Sequence, residues 1–183
     1  MVYKRVILKR GKEESLKRFH PWVFSGAIAR MDNIEEGDLV TVYDHEGNLI
    51  GNGHYQIGSI AVRILTFDDT EIDSAFFVKR LTEAFKMRQA LGLSRPDNNA
   101  FRLVHGEGDF LPGLVVDIYG STAVMQAHSP GMHFARNLIA DALTQLPNGV
   151  VKNVYYKPRM MMVEVQQYRQ KKTGLASAIT MMR

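Results

Sequence analysis

Over the first 70 or so positions, apolar residues recur in short runs separated by polar or basic ones, a spacing that belongs to strands. Val2, Tyr3, Val6, Ile7 and Leu8 lie among Lys4, Arg5, Lys9 and Arg10 in a run that ends at Gly11, which predicts a strand with a charged outer face. Glu13 to Phe19 reads as one or two helical turns stopped by His20-Pro21. Because the residue before a proline is pushed out of the α region, Trp22 to Ile28 is expected to be extended. Three further strands follow at Leu39 to Tyr43, Leu49 to Tyr55 and Ile60 to Thr66. The first two are joined by Asp44-His45-Glu46-Gly47-Asn48, a turn of residues that tolerate left-handed backbone. Strands this short and this close predict a small barrel.

From Thr70 the period changes. Thr70 and Asp73 form a capping pair, and Ile72, Phe76, Phe77, Leu81, Ala84, Phe85 and Leu91 recur at three and four residues until Gly92, the mark of an amphipathic helix. Its Phe stripe reads as core packing. Phe101 to Val104, Leu114 to Tyr119 and Thr122 to His128 read as strands, Met132 to Leu146 as a second helix ended by Asn148-Gly149, and Val150 to Tyr156 as one more strand. The fold class is therefore α+β. The expected division is a barrel over 1–70, a linking helix and α+β unit over 71–157, and a tail over 158–183. Five of the ten methionines fall in that tail, at Met160, Met161, Met162, Met181 and Met182, and no period is sustained there.

Charge sharpens the picture. The total is only +4, but residues 1–30 hold eight Lys or Arg against two Glu, residues 31–70 hold Arg63 against eight acids, and residues 151–183 hold seven bases against Glu164. Gathered cations attract polyanions, since each neutralised phosphate releases condensed counterions; the plain alternative is a solvated basic face. With no run of about 18 apolar residues and no signal-type N-terminus, a membrane is not expected as partner and the cytoplasm is the expected compartment. The absence of cysteine removes thiol nucleophiles, zinc thiolate sites and disulfides from this sequence.

Two clusters could carry chemistry. Lys17-Arg18-Phe19-His20-Pro21-Trp22-Val23-Phe24-Ser25-Gly26 joins bases to aromatics, the pairing RNA-binding surfaces use to meet phosphates and stack unpaired bases. The lone Trp22 is expected to plug the barrel core, whereas Lys17, Arg18 and His20 are expected at the surface. In Arg102-Leu-Val-His105-Gly-Glu107-Gly-Asp109, an extended chain would turn His105, Glu107 and Asp109 to one side for metal or acid-base work. The flanking glycines favour instead a tight connection in which Glu107 and Asp109 bond backbone amides.

At these clusters the chain resembles a known family. His20 to Gly26, Gly37-Asp-Leu-Val-Thr-Val-Tyr-Asp44 and Ile60-Ala-Val-Arg-Ile-Leu65 resemble the PUA domain of the S-adenosylmethionine-dependent large-subunit rRNA (cytosine-5) methyltransferases. Arg102 to Asp117 is similar to the entry to that family's central domain, which implies a strand-strand-helix-strand-strand order over the second unit. The family's catalytic Rossmann-like domain binds S-adenosylmethionine and supplies a cysteine. With no cysteine and no glycine-rich strand-to-helix turn after Lys157, the expectation is an RNA-docking portion that holds no cofactor and performs no methyl transfer by itself. Its expected partner is RNA, namely rRNA. Phosphate contacts are expected from Lys4, Arg5, Lys9, Arg10, Lys12, Lys17 and Arg18, with base contacts from His20 or Phe24. Arg102, His105, Glu107 and Asp109 are the substrate-cleft candidates.

Two other readings compete. In one, the chain is an interaction module or homodimer that buries the 72–91 helix and the Met-rich tail against a partner. In the other, it is a small metal-dependent enzyme built on His105, Glu107 and Asp109.

Overall fold

A computed structural model describes residues 3–158. The first part is a curled six-stranded sheet built from β1 (Lys4–Leu8), β2 (Trp22–Phe24), β3 (Ile28–Met31), β4 (Leu39–Tyr43), β5 (Leu49–Tyr55) and β6 (Ile60–Thr66), with a single-turn helix α1 (Glu14–Lys17) after β1. The strand order is β2-β6-β5-β4-β1-β3; β1 and β4 run parallel and the other neighbours antiparallel. Alternation places Val6, Leu8, Val40, Val42, Val62 and Ile64 on the concave side, where Leu16 of α1 and Val23 complete a core. The β4–β5 turn is held by Asp44, whose Oδ1 accepts from the backbone N–H groups of Glu46 and Asn48 at 2.9 and 2.8 Å. The stretch expected to be extended from Trp22 is interrupted by a 3-10 turn over Ser25–Ala27 that carries the chain from one edge of the sheet to the other.

The second part begins with α2 (Ser74–Ala90). Asp73 is its N-cap and accepts from Phe76 N–H at 2.9 Å. β7 (Ala100–His105), β8 (Leu114–Tyr119), β9 (Thr122–Ala127) and β10 (Asn153–Tyr156) form a sheet of order β10-β9-β8-β7. Between β9 and β10 the single expected helix is two, α3 (Pro130–Phe134) and α4 (Arg136–Thr144), broken at Ala135. Pro130 at the first turn and Ser129 as cap start α3 two residues earlier than the pattern indicated. The described residues thus run strand-strand-strand-helix-strand, which corrects the strand-strand-helix-strand-strand order implied by the resemblance. β10 returns parallel to β9, as a crossover through helices requires. The aromatic face of α2 is covered by its own chain: Phe76, Phe77, Leu81 and Phe85 lie in a core with β7, β8, β9 and α4. That helix face is therefore not open to a partner. Met87, Leu91 and Leu93 remain exposed at its C-terminal end, and the Met-rich tail lies outside the described residues.

The two cores share a wall. Ile64 of β6 faces the first core and its neighbour Leu65 the second. Close backbone approach seals the junction: a Cβ on Gly131 of α3 would sit 2.1 Å from the His54 ring of β5. Gly37, at φ +87°, leaves room for the Phe134 ring, 2.3 Å from where a Cβ would stand.

Candidate nucleic-acid interface

The cations of the N-terminal run fall into two sets. Some are matched: Lys4 Nζ lies 2.8 Å from Asp38 Oδ2, Arg5 reaches Asp32 at 3.4 Å, and Lys17 lies 3.6 Å from Glu14 and 3.9 Å from Glu13. Lys9 donates to the Gly26 carbonyl, an uncharged partner, at 2.9 Å. Arg10 and Lys12 stand exposed on the tight turn after β1, and Arg18 is exposed on the turn after α1, none with an ion-pair partner among the described residues. Asp32 is held below the usual carboxylate range chiefly by the Arg5 backbone N–H, then by the Arg5 side chain.

Beside these turns runs an aromatic row. The β-period puts His20, Trp22 and Phe24 on one side of the edge strand β2. His20 and Trp22 meet edge to face at 5.5 Å between centroids, Trp22 and Phe24 at 6.4 Å. Trp22 is half-buried and stands in this row; the barrel core is filled by Val23 instead, which corrects the expected plug. His20 Nδ1 accepts from the Trp22 backbone N–H at 3.3 Å, so in the neutral ring Nε2 carries the proton and points a donor outward. Phe24 is 50% exposed. Phe19, at φ +61°, is exposed too and packs edge to face on Phe67 at 5.3 Å.

The second part of the chain reaches this row through one carboxylate. After β7 a 3-10 turn, Gly106–Asp109, swings the backbone so that His105, Glu107 and Asp109 diverge rather than share a side. Glu107 Oε1 accepts from the Trp22 indole N–H at 2.8 Å, an attachment across 85 positions of sequence. Arg63, the cross-strand neighbour of Trp22, stands in the field of Glu107 and donates to Gln56 at 2.6 Å; burial pulls its guanidinium below the ordinary arginine value, and Glu107 opposes that. Asp109 lines no open cleft. It is 6% exposed, pairs bidentately with Arg88 at 2.5 and 2.7 Å, and accepts from His105 N–H at 2.6 Å. Arg102 forks onto Asp117 at 2.8 and 3.1 Å and donates to His105 Nδ1 at 3.2 Å. With three different partners, His105, Glu107 and Asp109 do not form the metal or acid-base group that strict alternation suggested. Of the four cleft candidates, Glu107 alone reaches the aromatic row.

Trp22, Arg63 and Phe110 were missed as site residues. Register could have found Arg63, since it sits opposite Trp22 once β2 and β6 are paired. Phe110 gave no such signal: it is 53% exposed at φ +56°, with the Arg80 guanidinium 5.3 Å from its ring centroid.

Residues 6–67 match the family model of a PUA-like domain. The ribosomal RNA large subunit methyltransferase I of Escherichia coli (strain SMS-3-5 / SECEC) is 41% identical over 145 residues, 78% of this chain and 36% of that protein. The protein of the same name from Klebsiella pneumoniae (strain 342) is 40% identical over 148 residues, 79% of this chain and 37% of its own. This chain thus spans about a third of the length of the curated relatives it matches. Among solved structures, a Streptococcus mutans chain assigned as a SAM-dependent methyltransferase has the same fold over 87% of this chain and 41% of its own, with TM-score 0.72 and 19% identity. A chain assigned as a methyltransferase and solved with SAH gives TM-score 0.73 at 18% identity, over 88% of this chain and 41% of its own.

Proposed function

We propose that the chain is the RNA-docking portion of a ribosomal RNA large-subunit methyltransferase, the family of the relatives about 40% identical to it over 78% of its length. Residues 1–70 grip structured rRNA and residues 71–157 position it. The observation that supports this most directly is the His20–Trp22–Phe24 row, exposed at His20 and Phe24, beside cations that have no ion-pair partner among the described residues. Rings take unpaired bases and cations take phosphates, and the two together distinguish an RNA surface from a merely soluble one. Arg10, Lys12 and Arg18 are the principal phosphate contacts, with Lys9 next; Lys4, Arg5 and Lys17 contribute less because acids already face them.

In this reading no described residue is assigned to the methyl donor. In open α/β sheets a nucleoside cofactor binds at a strand-to-helix turn. Here the β9–α3 turn is filled: Ser129 is 2% exposed, caps α3, and packs where a Gly113 side chain would stand. No described helix is long and apolar enough to cross a membrane.

Filter binding of the whole chain to rRNA fragments tests the reading. Affinity is expected to fall steeply between 50 and 200 mM salt, by roughly a hundredfold or more for several phosphate contacts. Salt-independent binding, or none at micromolar protein in low salt, overturns it.

A further inference from the structure

Glu107 is out of place on a surface meant for phosphates. An exposed carboxylate there repels the backbone it adjoins, so it is useful only to a donor group. Four features define what it can receive. The Trp22 indole N–H holds Oε1 at 2.8 Å, which fixes the carboxylate at the edge of the ring. Oε2 has no hydrogen-bond partner among the described residues. The Arg63 guanidinium stands in the field of this carboxylate, and a carboxylate offers acceptors only. The turn that presents Glu107 is anchored from beneath by the buried Arg88–Asp109 pair, so the acceptor is held in place before any ligand arrives.

Two exposed rings are linked to this position, one through Trp22 and one through the backbone. Phe24 extends the row from Trp22, and Phe110, whose backbone N–H donates to the Glu107 carbonyl at 3.1 Å, follows in the same turn. A base stacked on such a ring turns its edge, where its amino and carbonyl groups lie, toward neighbours in the ring plane.

We propose that Glu107 Oε2 accepts a hydrogen bond from the exocyclic amino group of an unpaired base stacked on this aromatic surface, making Glu107 a specificity-determining residue of the RNA site. The inference rests on the RNA-docking reading. Cytosine offers a 4-amino group where uracil presents a carbonyl, and the two rings are alike in size, so this pair isolates the contact. Uracil N3–H is no substitute, because carbonyls on both sides of it repel a carboxylate.

The experiment is fluorescence anisotropy of the full chain with labelled oligo(C) and oligo(U) RNA of equal length in low salt. The expected result is roughly tenfold tighter binding of oligo(C), the scale of one well-made base contact. Glu107→Gln keeps a carbonyl oxygen for the Trp22 indole and turns an amide N–H₂ toward the base, so the attachment of the turn survives while the acceptor becomes a donor. Its C-to-U ratio should fall to about one or invert, with an unchanged melting temperature. Independently of any variant, oligo(C) carrying N4,N4-dimethylcytidine should bind the wild-type chain no better than oligo(U). A ratio near one in the wild type, or a preference that survives both Glu107→Gln and dimethylation, overturns the inference while leaving RNA docking intact. If neither oligomer nor an rRNA fragment binds, the docking reading itself fails.

Discussion

Arg88 and Asp109 show what a buried charge demands of its neighbours. Desolvating either ion alone costs several kcal/mol, and the bidentate contact offsets that only while both are present. The remaining acceptor capacity of Asp109 goes to the His105 N–H, and Arg88 Nε is used by the Arg102 carbonyl at 3.0 Å. Asp109→Asn should therefore destabilise the fold by about 3 to 5 kcal/mol, read as a fall in urea midpoint without a change in slope. Loss of RNA affinity with full stability would instead place Asp109 in the interface. His54 is buried with Nδ1 unpartnered among the described residues, and burial pulls its pKa down to about 4 from 6.5. The unfolded chain binds the extra proton between those values, so stability must rise with pH across that window. The contribution is complete above pH 6.5 and lost as pH falls toward 4, about 3 kcal/mol in all. His54→Leu should flatten the pH dependence of the urea midpoint between pH 4.5 and 7. Carboxylates held low by hydrogen bonds, such as Asp44 and Asp68, lose their contribution below that window.

Elements are joined here by the absence of side chains as much as by their presence. α3 meets β5 through Gly131, and a methyl group there would overlap the His54 ring, whose surroundings are packed. Gly131→Ala is expected to cost about 1 to 3 kcal/mol as α3 or the ring shifts, and differential scanning calorimetry should show it as a lowered Tm. An unchanged Tm would mean the junction is looser than its packing implies. Such close approaches were invisible in the sequence, where a helix-start glycine after proline looks like ordinary punctuation. What could be read were elements with a strong period: β4, β5 and β6 fall at the predicted bounds because alternation and a five-residue turn leave little choice of register. Elements governed by tertiary partners were misjudged. Trp22 was expected in the core because its size favours burial, but its N–H needs an acceptor, and the acceptor, Glu107, comes from another element 85 positions away. His105, Glu107 and Asp109 were grouped by assuming an extended chain; the 3-10 turn cancels that period.

At the scale of the molecule, the N-terminal excess of basic residues overstates what RNA can use. Folding brings acids from the 31–70 stretch back onto β1: Asp38 onto Lys4 and Asp32 onto Arg5. Arg10, Lys12 and Arg18 escape because they stand exposed on the turns that follow β1 and α1, where no acid among the described residues pairs with them. If RNA binding is driven by counterion release, each unmatched cation that meets a phosphate adds roughly 0.7 to the slope of log K against log salt for a single strand. A cation already facing a carboxylate adds less, since its pairing must be given up or shared. Replacing Arg10, Lys12 and Arg18 together by alanine should then lower that slope by roughly 2, whereas Lys4→Ala with Arg5→Ala should change it by well under 1. Formal charge alone would rank the variants by residues removed, three against two. Filter binding from 50 to 300 mM salt separates these outcomes, and a loss shared in proportion to residue count would show that total charge, not its arrangement on the folded chain, governs the encounter.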